Sequence, residues 1–293
     1  MQAARPNPLS GVAGAGFSWV YNNFLMGEKS KIYYARSTDF QPFLEKLRGV
    51  FEPKLKGKIL IKPNAVSHEP YPTTTSPELF RGLIRLLKGR AELAAGDAPA
   101  ADLPRPGYAL KNYILTRVAE EEGIRFYNFY EQAMIEEQTN LGRGLKFSAL
   151  PKKFDLIISL PVLKTHIILL ITAALKNQFG FLAREQRLKL HLQGGTALAR
   201  AIVSINQLAP AQLFIVDFRE TLINANELRH GGRRMEGGWI FAGEDPLALD
   251  FFGFSLLKEI EPKLFGKSPQ EIEYLRLAQS SGLGRSEFEL VQL

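Results

Sequence analysis

Lys164, Thr165 and His166 stand together just after an apolar run stopped by proline, in the segment KFDLIISLPVLKTH (153–166). A lysine, a hydroxyl and an imidazole in consecutive positions can hold an anion, donate hydrogen bonds and move a proton. The grouping recurs: ILI (59–61) is followed by Lys62 and Asn64, LAAG by Asp97, and FIV by Asp217. If those apolar runs are parallel strands, all of these residues reach one sheet edge, which is where open α/β sheets bind ligands. Strand ends leave the core and attract polar residues in any protein, so the convergence depends on the topology.

Two more segments add to the set. TTTSPEL places Thr73, Thr74 and Thr75 at an expected helix N-terminus, where free amides and the dipole favour a phosphate or carboxylate. Simple capping, with Thr75 and Glu78 as a capping box, accounts for Thr75 alone. ALKNQFG (174–180) sets Lys176 and Asn177 ahead of Gly180, although a lysine there also suits the negative end of a helix dipole. The candidate catalytic residues are therefore Lys164, His166, Asp97 and Asp217. The candidate ligand-binding residues are Lys62, Asn64, Thr73, Thr74, Thr75, Thr165, Lys176 and Asn177.

His166 and His191, the latter in LKLH, with Asp97 or Asp217, would suit a divalent metal such as zinc, iron or manganese. They lack the i, i+4 spacing of a metal-binding helix. His68 and His230 fall in expected loops and can simply be solvated. The stretch HGGRRMEGG (230–238) reads as a loop that either closes over an anion with its arginines or forms a solvated hairpin tip. No GxxxxGK[ST], GxSxG or HExxH motif occurs, and GVAGAG (11–16) has no strand before it to make a dinucleotide site.

The elements needed to position these residues are those of an alternating α/β chain. Strands are expected at 31–36, 56–64, 91–97, 124–129, 155–160, 212–217 and 239–243, and helices after Thr75, at 108–122, 170–177 and 197–209. A capping box from Ser268 to Glu271 opens a last helix. The fold class is α/β, a mainly parallel open sheet with helices on both faces and a smaller inserted lobe as an option at 98–150. Residues 1–30 read as an N-terminal extension and 31–293 as one domain. The connection from Lys62 to the next helix exceeds the ~2–6 residues usual for such links, which marks it as functional.

Composition narrows the chemistry. The 293 residues are 45% hydrophobic, enough for a substantial core, and carry a net charge of +7, which favours acidic ligands. With no cysteine, there is no disulfide, thiolate nucleophile or cysteine-ligated iron–sulfur cluster. The uncharged stretch PLSGVAGAGFSWVYNNFLM is broken by proline, serine and asparagine, so no transmembrane segment is expected and a cytoplasmic protein is.

In order and spacing, KPNAV, TTTSPEL, AAGDAP, DLIISLPVLKTH, ALKNQFGF, LKLH, IVDF and AGEDPLALD resemble the family catalogued as domain of unknown function 362, from about Lys31 to Leu257. The resemblance implies that Lys62, Asn64, Asp97, Lys164, Thr165, His166, Lys176, Asn177, His191, Asp217, Asp245 and Asp250 hold the family's motif positions. It also implies relatives with a ferredoxin-like segment. That chemistry does not carry over to a chain without cysteine, and the stretch after Asp217 is longer and more basic than the family pattern.

The reading is an enzyme acting on a small phosphorylated or carboxylated metabolite at the strand ends, with metal assistance as one form and a lysine Schiff base as another. The first alternative is a non-catalytic ligand-binding protein that serves a redox or other protein partner. Nucleic-acid binding through Arg233 and Arg234 comes last, because no recognised motif supports it.

Overall fold

The computed structural model describes residues 29–36, 39–103 and 110–293. The expected extension at 1–30 lies almost wholly outside them. In chain order the elements are β1 (Ser30–Ala35), α1 (Gln41–Phe51), β2 (Lys58–Pro63), α2 (Pro77–Leu87), β3 (Glu92–Asp97), α3 (Ile114–Glu121) and β4 (Arg125–Asn128). A hairpin of β5 (Met134–Thr139) and β6 (Gly142–Ser148) precedes β7 (Leu156–Leu160). Then come β8 (Lys164–His166), β9 (Leu170–Thr172), α4 (Ala174–Asn177), α5 (Arg184–Gln193) and α6 (Gly195–Leu208). The chain ends with β10 (Leu213–Ile223), β11 (Arg233–Gly243), α7 (Pro246–Lys258), α8 (Glu273–Ser280) and β12 (Phe288–Gln292).

Eight strands form one sheet in the order β12-β1-β11-β10-β7-β2-β3-β4. It is mostly parallel. Only β11 opposes its neighbours β1 and β10, while β2, β3, β7 and β10 run the same way. The central strands alternate between two cores because successive side chains point to opposite faces. In β2, Leu60 joins the core under α6, α7 and α8, whereas Ile59 and Ile61 join the one under α1, α2 and α3. No helix among the described residues is long and apolar enough to cross a membrane.

Several expectations change in detail. The cap of α2 is Ser76, whose side chain accepts from the Leu79 amide, not Thr75, because the Thr75 hydroxyl is engaged elsewhere. The helix read over 170–177 begins only at Ala174. Its first residues pair instead as β9 with β8, Lys164 opposite Thr172. Leu170–Thr172 carries apolar spacing that suits either structure, and an adjacent strand decides between them. The strands after residue 212 are also longer than their apolar runs suggest. β10 continues past Asp217 through an irregularity at Phe218/Glu220, so that Ile223 pairs with Arg233, and much of the basic stretch is a β-hairpin rather than a loop. Gly237 makes this pairing feasible, since a Cβ there would lie 2.1 Å from the Phe218 carbonyl oxygen.

The short helix α4, which carries Lys176 and Asn177, starts on a side chain from another element. Asp250 of α7 is fully buried and accepts from the amides of Ala174 at 2.7 Å and Leu175 at 3.3 Å. Burial pushes its carboxyl up to about 8, against the pull of those two amides. A carboxyl with a raised folded-state pKa stabilises fully below its unfolded pKa of ~3.9 and loses that contribution as pH rises through about 8. Urea melts should therefore show wild type losing stability from pH 5 to 8 relative to D250N, which has no proton to lose. D250A should cost about 1–2 kcal/mol for the missing cap.

Candidate functional site

Beyond the carboxyl ends of β2, β3 and β7 lies a cavity of about 350 Å³. One side of it rests on a buried ion pair. Lys62, at the end of β2, donates to Asp97 Oδ1 at 2.7 Å and to its neighbour's carbonyl, Pro63 O, at 3.3 Å. The other Asp97 oxygen accepts from the Ala65 amide at 2.7 Å. The Lys62 amine lies 5.9 Å from the Phe129 ring centre and 5.4 Å from that of Phe181, and these rings stack at 4.9 Å. Burial holds the amine below the usual lysine range, although Asp97 pulls the other way. Two expected site residues thus come together, but as partners to each other.

The threonines are also spoken for. Thr75 Oγ1 donates to Leu160 O at 2.7 Å and accepts from the Asn64 amide. Thr73 and Thr74 donate to the side chain and carbonyl of Glu69, respectively. Their hydroxyls therefore shape the long loop, and of this group Asn64 reaches the cavity wall. Asn177 Nδ2 donates to Ser159 Oγ at 2.8 Å and to Lys62 O, pinning α4 onto the sheet. Thr165 points to the buried Glu261, at 2.6 Å. Asp217 does not line the cavity: it is fully buried, 2.7 Å from Arg219 and 2.9 Å from the Tyr71 hydroxyl, in a strand that runs on past it.

Lys164 and Lys176 also line the cavity. Lys164 donates to the Thr73 carbonyl, and burial pushes its pKa down to about 8 despite Glu227 and Glu69. The Lys176 amine makes no hydrogen bond or ion pair among the described residues and sits 5.6 Å from the centre of the Phe179 ring. Burial, then Arg187 and Lys164, pushes it down to about 7, with Glu227 opposing. A negative charge brought beside two lysines of this kind would raise their pKa values again.

Three residues overlooked in the sequence complete the wall. Arg187, four residues before His191 on α5, donates to Pro99 O at 2.9 Å and to the Tyr130 hydroxyl at 2.6 Å, both neutral acceptors. Glu227 lines the cavity and is paired with Arg229, 2.8 Å away. Thr172 is 8% exposed and its hydroxyl has no hydrogen-bond partner among the described residues. The i, i+4 relation of Arg187 and His191 was a usable signal once LKLH is placed on a helix.

The histidines divide by tautomer. His166 Nδ1 accepts from the amides of Ile168 and Leu169, each at 3.1 Å, so the neutral ring carries its hydrogen on Nε2. Burial, then Lys176, His191, Lys164 and His230, holds its pKa well below the usual value. His166 is therefore a hydrogen-bond donor to the cavity, and a metal would need the lone pair that Nε2 lacks. His191 Nδ1 lies 2.7 Å from the Arg187 carbonyl, which fixes that nitrogen as the donor and leaves Nε2 as an acceptor. Among the described residues no three His, Asp or Glu side chains are arranged to hold a metal ion.

Gly180 packs against the ion pair so closely that a Cβ would lie 2.2 Å from Asp97 Oδ1 and 2.8 Å from Lys62 Nζ. G180A should cost about 3 kcal/mol in denaturant melts, since it must displace a buried charge pair. K62M should cost as much or more, by leaving Asp97 buried without its cation.

No curated protein matches the sequence. Among solved structures the fold is similar to that of the lactate racemase apoprotein from Thermoanaerobacterium thermosaccharolyticum, with a TM-score of 0.51 and 14% identity, over 79% of this chain and 57% of that one. A protein from Thermotoga maritima gives a TM-score of 0.41 and 13% identity over 64% of this chain and 51% of its own. The first likeness is one of fold, and this chain spans less than two thirds of either neighbour's length. The profile of the domain of unknown function 362 matches residues 59–255, a span that runs from β2 into α7 and includes every strand end around the cavity. The chain belongs to the domain of unknown function 362 family.

Proposed function

We propose that this protein is an enzyme that binds a small carboxylated or phosphorylated metabolite in the cavity and moves a proton on it. The observation that carries the reading is the Lys176 amine, which has no hydrogen-bond or ion-pair partner among the described residues and lies in a cavity also lined by Lys164 and His166. Pushed down to about 7 in the free protein, Lys176 loses its proton far more readily than an ordinary lysine: as the ammonium it binds the anion, and in the fraction of complexes where it is the amine it can accept a proton. Lys164, more basic and hydrogen-bonded, holds the anion, and His166 adds an Nε2–H donor. The cavity volume of about 350 Å³ suits a metabolite rather than a macromolecule. Asp97 and Lys62 serve by keeping the wall rigid.

The lactate racemase apoprotein is named for a reaction on a small hydroxycarboxylate, which agrees with this ligand class. At 14% identity that agreement concerns fold alone, and the proposal rests on the groups in the cavity. A ligand-binding protein without catalysis would use the same cations.

Calorimetric titration with acetate and inorganic phosphate tests the binding. The anion binds the charged lysines, so the affinity for acetate, whose own charge is constant over this range, should be level just below pH 7 and fall as pH rises through about 7 and about 8, by up to about tenfold per unit for each lysine. K176M should abolish the lower step and weaken binding about tenfold or more, while raising the stability of the free protein by about 1–3 kcal/mol, because it removes a poorly solvated cation. Catalysis is read by proton NMR in D₂O, as loss of C–H signal from small carboxylates and phosphate esters. Exchange that disappears in K176M supports the enzyme, whereas binding without exchange by any of them supports the carrier.

A further inference from the structure

We propose that the ligand of this cavity is an amphiphilic anion, with a carboxylate or phosphate head among the lysines and an apolar chain lying over the β8–β9 turn. The inference rests on the anion site proposed above and names the substrate class. The observation behind it is the composition of that turn. Ile167, Ile168 and Leu169 connect β8 to β9, where Gly, Asn or Asp would ordinarily stand. Leu169 is buried, but Ile167 and Ile168 are 53% and 44% exposed and both line the cavity. Leu192, next to His191 on α5, is 90% exposed.

The backbone holds this display in place at a cost. Leu170 adopts φ 66°, a left-handed conformation that a leucine rarely takes. His166 Nδ1 accepts from the amides of Ile168 and Leu169, so an imidazole that lines the cavity also clamps the turn bearing the isoleucines. Strain and exposed apolar area kept together beside a cavity mark a functional surface more readily than a structural one. Cation and apolar wall are carried by one hairpin: Lys164 pairs with Thr172 in its ladder, and Ile167 and Ile168 form its tip. The head and tail of one molecule are the chemistry that matches both at once.

The test is a homologous series of alkyl phosphates and fatty carboxylates, from methyl phosphate and acetate to the octyl members, titrated by calorimetry below their micelle concentrations. Affinity should rise about two- to fourfold per methylene over the first several carbons. The double variant Ile167→Ser/Ile168→Ser should flatten this dependence to near onefold per methylene, whereas Phe265→Ser, at an exposed position outside the cavity, should leave the slope as in wild type. K176M should lower every member alike and keep the slope. A wild-type series that binds with no dependence on chain length, or a slope that survives the double variant, overturns the amphiphile while leaving the anion site intact. If methyl phosphate, acetate and the long members all fail to bind, the anion site falls as well.

Discussion

The pair of Lys62 and Asp97 is the constraint on which the site is built. Two adjacent parallel strands, β2 and β3, end in opposite charges that meet at 2.7 Å in a place with almost no water. Charges buried in this way are costly to desolvate and hold only with good geometry and further hydrogen bonds, which the Ala65 amide and Pro63 carbonyl provide. Because the pair must be kept dry, Phe129 and Phe181 cover it and Gly180 closes over it without a side chain. The placement of α4 follows, and with it Lys176. Matched by Lys62, Asp97 does not offset the charges of Lys164 and Lys176, on which Glu227 is the main opposing carboxylate.

This division of labour also explains why residues of the same type have different fates. Lys62, Lys164 and Lys176 all belong to motif segments, yet one is locked in an ion pair, one leans on a carbonyl and one has no hydrogen-bond or ion-pair partner among the described residues. The threonine run behaves likewise: its hydroxyls face inward to Glu69 and Leu160, so the loop is rigid and its backbone presents acceptors such as Thr73 O to Lys164. Glu69 reaches further, accepting from the amides of Leu228 and Arg229, and so ties the long loop after β2 to the segment between β10 and β11.

Much of the architecture was legible because the relevant signals are local. ILI, LAAG and IISL are short, apolar on both faces and stopped by polar or proline residues, and each proved to be a central parallel strand. The parallel course of β2, β3, β7 and β10, on which the convergence of strand ends depended, holds for all four. What failed to show was set by partners distant in sequence. Asp217 looks like a strand-end carboxylate until β11 extends β10 beyond it, and Leu170–Thr172 looks helical until β8 lies beside it. His191 gave no sign of its helix because Arg184–Gln193 is polar and half-exposed, with Leu190 as its one buried residue and hence little periodicity. Arg187 shows in the sequence only through its i, i+4 relation to His191, which needs that helix first, and Thr172 carries no motif, so only its position against the cavity marks it.

The strand order bears on how the chain is made. β1 is the first described strand to emerge during synthesis, but its partners are β11 and β12, where Tyr33 meets Ala242 and Val291. β2, β3 and β7 have one another long before that, and contacts between distant segments form late. Until β11 and β12 are made, a nascent β1 lacks the two strands that flank it in the described fold, the situation in which strands recruit foreign chains. The sequence KSKIYYAR flanks that strand with Lys29, Lys31 and Arg36, charges that keep other strands away until its own arrive.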